Sequence, residues 1–169
     1  MMLDISVEAD AEWDSRIGWA ALAERAVAAA VAESGFPQLA TSERSVEVAL
    51  RLTNDDAVQT LNAEWRGKDK PTNVLSFPLA EVDDLGVTGD ADSPGMMLGD
   101  IVLAHGVCAA EAADKRVPIA DHAAHLMVHG TLHLLGYDHG DDDSADEMEK
   151  REVRALARLD IADPYVGDR

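Results

Sequence analysis

The sequence predicts an α+β fold: a single small mixed β-sheet of about four strands packed with about five helices, one of them a metalloprotease-like histidine-bearing helix. Three observations carry this. Segments 3–8 and 45–52 alternate apolar and polar residues as half-buried strands do, and the apolar runs 74–77 and 98–103 have strand length. Several longer segments repeat apolar residues at helical spacing. The two kinds mix without a strict strand–helix–strand alternation, which speaks against a wholly parallel sheet.

In the first strand Leu3, Ile5 and Val7 share a face. Ser15 is a candidate cap for a helix over 15–34, with Ile17, Ala20, Ala23, Val27, Ala30 and Val31 as its apolar stripe and Gly35 and Pro37 as its stop. In the second strand Val46, Val48, Leu50 and Leu52 point one way, and Glu47 and Arg51 the other. Thr53 or Asn54, followed by Asp55 and Asp56, starts a helix whose dipole those acids suit, and which is expected to bury Val58, Leu61 and Trp65. Residues 67–72 read as a polar turn, and strand 74–77 ends at Pro78. Residues 79–97 hold Gly, Pro, Asp and Ser without periodicity and are expected to form a mobile loop. Strand 98–103 follows, then helices over 104–115, from Pro118 onward, and over 143–159. No repeat or linker interrupts the chain, so residues 1–169 are expected to form one domain, long enough to bury a core.

No apolar run approaches the roughly 18 residues of a membrane span. The start of the chain lacks the basic residues and apolar block of a secretory signal, so the cytoplasm is the expected compartment. Cys108 is the single cysteine; it excludes an internal disulfide and a cysteine-based zinc knuckle, and its alanine-rich surroundings suit a buried thiol. A net charge of −19 disfavours broad binding to nucleic acid, whose phosphates are held mainly by Lys and Arg. The acid is uneven, however. It gathers at Glu81, Asp83, Asp84, Asp90, Asp92 and Asp100, and again over 141–149, whereas Arg66, Lys68 and Lys70 make a basic spot. The acidic stretches read as solvated surface.

His122, His125, His129 and His133 follow one another at steps of three, four and four residues, which keeps all four on one face of a helix. His129 and His133, one turn apart, can converge on one ion. Gly136 suits the left-handed position that ends a helix and lets the chain double back, so that His139 returns a third imidazole to the same point. Three nitrogens on a tetrahedral ion leave one position for water, which describes a catalytic zinc site; cobalt, nickel or iron accept the same ligands. His122 and His125 read as hydrogen-bonded helix histidines, and Asp138 either as a carboxylate partner of a ligating imidazole or as a shaper of the turn. The spacing matches metzincin metallopeptidases, but Gly130 stands where those enzymes carry their glutamate base, so peptide hydrolysis is disfavoured.

A second constellation runs from Trp65 to Pro78. Arg66 offers a planar fork for phosphate oxygens, and Lys70, Asn73 and Ser76 are candidate substrate-binding side chains if the segment lies over the histidine site.

With these segments together, the sequence resembles the YbeY family of bacterial endoribonucleases. The resemblance rests on Leu61 and Asn62 through Pro78, on Leu98 through Val102, on His129 through His139, and on the acidic Met-containing helix and the ending Asp163, Pro164, Tyr165; it spans most of the chain. It implies that His129, His133 and His139 hold one Zn2+ ion completed by water, and that Arg66 is functionally essential. On this reading Arg66 and His129 are the catalytic residues. The resemblance also implies metal-dependent cleavage of single-stranded RNA, maturation of ribosomal RNA (notably the small-subunit 3′ end) and ribosome quality control. The expected partners are single-stranded or ribosomal RNA and ribosome or small-subunit assembly components, with no membrane. Two rivals stand beside this: a zinc-stabilised ribosome-assembly factor without cleavage activity of its own, and a metal-dependent hydrolase of peptides or small molecules.

Overall fold

The four strand-like runs do meet in one sheet in a computed structural model, which describes residues 3–85 and 95–166. The strands are β1 (Leu3–Ala9), β2 (Val46–Thr53), β3 (Val74–Pro78) and β4 (Met96–Ala104), in the spatial order β1-β2-β4-β3. β1 pairs parallel with β2 and β2 parallel with β4, whereas β3 runs antiparallel to β4 along one edge. Five helices complete the α+β fold: α1 (Trp19–Ala32), α2 (Asp55–Arg66), α3 (His105–Lys115), α4 (Ile119–Leu134) and α5 (Asp142–Arg158).

Alternation along β4 divides the apolar side chains between two faces. Ile101 and Leu103 join the main core with α1, α4 and α5, while Val102 and Ala104 join Leu75 and Val58 beneath α2. α4 is the central helix of the larger layer, and eleven of its residues are buried, which fixes the direction of its histidine face. Among the described residues no helix is long and apolar enough to cross a membrane.

Several sequence expectations shift. α1 begins at Trp19 without a side-chain cap, four residues after Ser15, because turns hold the preceding segment. There Asp14 accepts from the Arg16 main chain and guanidinium, and its carbonyl accepts the Trp19 indole N–H at 3.0 Å. Asn54 is the cap of α2, accepting Ala57 N–H at 2.7 Å; Thr53 instead donates its hydroxyl to Asp10. Trp65 is 67% exposed rather than buried: it lines an open groove over the sheet with Ala49, Arg51 and Val102, and its ring meets the edge of Phe77, 6.3 Å between centroids. Of the segment 79–97, Val82–Asp84 forms a short 3₁₀ turn and Met96 already begins β4, while residues 86–94 lie outside the described residues. Cys108 is fully buried, and burial pushes its thiol up to about 12.

Candidate metal centre

α4 carries His129 and His133 one turn apart, and their rings stand 4.5 Å apart between centroids. The helix then ends as the spacing predicts. Gly136 adopts φ +96°, its N–H bonding to His133 O and that of Tyr137 to Leu132 O. A Cβ at position 136 would stand 2.7 Å from Val82, so both the backbone angle and the space call for glycine. Tyr137 anchors the returning chain: its hydroxyl accepts the Gly35 N–H at 2.8 Å, and Arg151 lies over its ring. His139 is thereby brought back against both helix histidines, and one ligand atom from each of His129, His133 and His139 lies within 4.8 Å of the others.

The hydrogen bonds of the two helix rings test whether a metal fits. His133 Nδ1 lies 2.9 Å from Tyr137 O, and His129 Nδ1 is bonded to Glu152 Oε1. A main-chain carbonyl and a carboxylate only accept, so each Nδ1 carries the proton and each Nε2 presents a lone pair. Those two Nε2 atoms face each other at 3.0 Å. Two bare lone pairs at that separation repel unless a proton or a metal ion lies between them. Two nitrogens bound at about 2.0–2.1 Å to a tetrahedral ion stand about 3.3 Å apart, so the cradle already has close to the span a zinc ion requires. His139, the most exposed of the three, leaves one side of the group open to solvent.

Glu152 on α5 stands against this centre, and the motif reading missed it. It is 1% exposed; Tyr165 donates its hydroxyl to Oε2, and His125 Nε2 stands 3.5 Å from the same oxygen. Burial pushes the Glu152 carboxyl up, but hydrogen bonds from His125 and His129 outweigh it and bring it down to about 2. Burial lowers the His133 ring to about 4, which keeps it neutral and ready to ligate. Burial and the adjoining Glu152 raise the Tyr165 hydroxyl, so it stays a donor. Of the two roles considered for Asp138, the structure gives it the turn: Oδ1 accepts Gly140 N–H at 3.1 Å. His122 pairs with Glu111 at 2.9 Å and His125 with the Tyr165 hydroxyl at 3.2 Å, as hydrogen-bonded helix histidines should. A sequence signal for Glu152 did exist: Met148, Glu152, Ala155 and Leu156 share the buried stripe of α5, an unusual place for a lone carboxylate.

The second constellation adjoins the first through β3. Ser76 is buried, donates its hydroxyl to Gly130 O at 3.2 Å, and accepts Arg66 Nη2 on its own carbonyl at 3.3 Å. Arg66 is thus tied through one residue to the neighbour of His129. The Asn73 amide reaches Glu111 at 3.1 Å and its carbonyl oxygen accepts Val74 N–H, while Lys70 is exposed and its carbonyl accepts from Asn62. Gly130 faces the sheet: a Cβ there would stand 2.9 Å from Ile101 and 3.0 Å from the Ser76 hydroxyl, so no base projects from this position toward a substrate.

The profile of the Endoribonuclease YbeY family matches residues 8–160. The chain belongs to the YbeY endoribonuclease family. It is 54% identical over 164 residues to the Endoribonuclease YbeY of Sphingopyxis alaskensis, covering 97% of this chain and 98% of that protein. It is 44% identical over 163 residues to that of Zymomonas mobilis, covering 95% and 93%. The solution structure of a Thermotoga maritima protein superposes with a TM-score of 0.54 at 23% identity, over 93% of this chain and 92% of the other, which supports the fold alone.

Proposed function

We propose that the chain, acting as one domain over residues 1–169, is a zinc-dependent endoribonuclease of single-stranded RNA. On this reading it works in the cytoplasm on ribosomal RNA, in maturation of the small-subunit 3′ end and in ribosome quality control, alongside small-subunit assembly components. The supporting observation is the pair of His129 and His133 Nε2 lone pairs converging at 3.0 Å, with His139 beside them and an open flank. An ion held by three protein ligands with one face exposed serves chemistry better than it serves structure, which weighs against a purely structural zinc.

When bound, the zinc supplies a Lewis acid for a phosphoryl oxygen, or acidifies a water towards a pKa of about 7. His129, His133 and His139 are its ligands. Arg66, held by the Ser76 carbonyl, keeps further guanidinium N–H groups for the phosphate oxygens, where preorganised positive charge counts for several kcal/mol as the transition state gathers charge. Lys70 supplies a second cation for the RNA backbone. Asn73 and Ser76 take part by holding the main chain of β3 along the strand's path. The nucleophile is either water or the RNA 2′-OH: a 2′,3′-cyclic phosphate product marks the second, and cleavage of a 2′-deoxy substrate requires the first.

The test pairs elemental analysis with cleavage of a single-stranded RNA on one purified sample, before and after chelation. One zinc per chain, activity lost with it and restored by it, is the expected result. Full activity in metal-free protein would remove the zinc from the reaction.

A further inference from the structure

Glu152 is a buried carboxylate whose oxygens, among the described residues, meet groups without a permanent positive charge: His129 on Oε1, and Tyr165 and His125 on Oε2. A carboxylate that is 1% exposed stays ionised only where its oxygens accept hydrogen bonds, as these do, and its charge favours a cation placed nearby. The His129 ring lies between Glu152 and the point where the three histidines meet. Its Nδ1 is committed to the carboxylate and its Nε2 faces that of His133, so the ring can relay negative charge from the buried acid to a dication on the other side. His133 has only a neutral carbonyl behind it, from Tyr137. The two helix ligands are therefore supported unequally.

The second oxygen of Glu152 is held by the far end of the chain. Tyr165 donates to it, its ring packs edge-on against His125 at 5.4 Å, and the segment before it is fastened twice. Asp163 Oδ1 accepts the Tyr165 N–H at 2.8 Å, and Pro164 O accepts from the Lys115 ammonium at 3.4 Å.

We propose that Glu152 is the positioning residue of the metal centre, fixing the tautomer and aim of His129 through Nδ1, and that Tyr165 holds Glu152 in place, so that the segment 163–165 sets how tightly the ion is bound. This rests on the zinc reading above. Carboxylates behind ligating imidazoles raise the basicity of the ring, and their loss commonly weakens metal binding about 10–100-fold.

The experiment compares the full chain with Glu152→Gln and Tyr165→Phe. It reads zinc affinity by competition with a chromophoric chelator, the thermal midpoint of the metal-free protein, and the His129 tautomer from ring ¹⁵N shifts in metal-free protein. Glu152→Gln is expected to weaken zinc binding about 10–100-fold, by more than any change in its metal-free midpoint accounts for. Tyr165→Phe is expected to weaken binding by a smaller factor, and the wild-type His129 ring to be protonated at Nδ1. Zinc affinity within twofold of wild type in both variants overturns the proposal while leaving the zinc reading standing. A loss of affinity that merely follows a fall in the metal-free midpoint, or a His129 protonated at Nε2, also overturns it. Failure of the wild-type chain to take up zinc would overturn both.

Discussion

The histidine face and the basic segment before it touch each other, yet they use their polar atoms in opposite ways. On α4 the second nitrogen of each ring is tied off, to Glu152 or to Tyr137, and the atom pointing inward is left for a ligand. From Arg66 to Pro78 the inward groups are the ones consumed. The Ser76 hydroxyl goes to Gly130, the Asn73 amide to Glu111, and the Asn62 amide to Lys70 O, whereas the cations Arg66, Lys68 and Lys70 are exposed, with Asp69 among them. A polar residue in a motif serves either as an offered group or as a joint, and its hydrogen-bond partners decide which.

The largest expected effect falls on the offered groups. His129→Ala should take zinc content from one per chain to none, and cleavage down by about a thousandfold or more, read by elemental analysis and single-turnover assay. Cleavage at the normal rate would break the comparison at its stronger half. Arg66→Glu should keep the zinc and lose about 10²–10³ in rate, by reversing charge beside the phosphate. Loss of zinc in that variant would mean that Arg66 belongs to the scaffold instead. Gly130→Ala strikes the joint between the regions; its added methyl meets Ile101 and Ser76, and urea denaturation should show a loss of about 1–3 kcal/mol. Lys70→Ala should lower the slope of log affinity for single-stranded RNA against log salt by about 0.7, one phosphate contact. An unchanged slope would remove Lys70 from the RNA path.

The smallest effect lies away from both regions. Cys108 titrates near 9.0 when exposed and about 12 in the fold. Because the folded value is the higher, its contribution to stability is complete below about 9 and is lost as pH rises towards 12. The thiol should ignore a disulfide reagent at pH 8.5 until denaturant is added. Reaction in native protein would contradict its burial.

How far the site was legible follows from sequence distance. His129, His133, Gly136 and His139 declared themselves because helix period and a single turn govern all four. Glu152 lies 23 residues beyond His129, in a helix whose neighbours Glu147 and Glu149 are surface acids, and only its place on the apolar stripe sets it apart. Tyr165 is more remote still, and no local pattern joins it to a histidine. In the fold, alternation exposed β1 and β2, and apolar runs of strand length exposed β3 and β4. The spacing of Val58, Leu61 and Trp65 placed Trp65 inside, because periodicity gives the face of a helix and says nothing of the open groove left between its last turn and the sheet. The start of α1 was hidden for a similar reason: Ser15 is a good cap by type, but the turns at Asp14 had already claimed the chain.

The turn at Gly136 makes the span between His133 and His139 indivisible. One residue added or deleted there would carry His139 away from His129 and His133, and a side chain at 136 would meet both a left-handed backbone and the Val82 methyls. In a saturation library scored for zinc retention, this short stretch should therefore reject changes of length and every replacement of its glycine, whatever the chemistry of the newcomer.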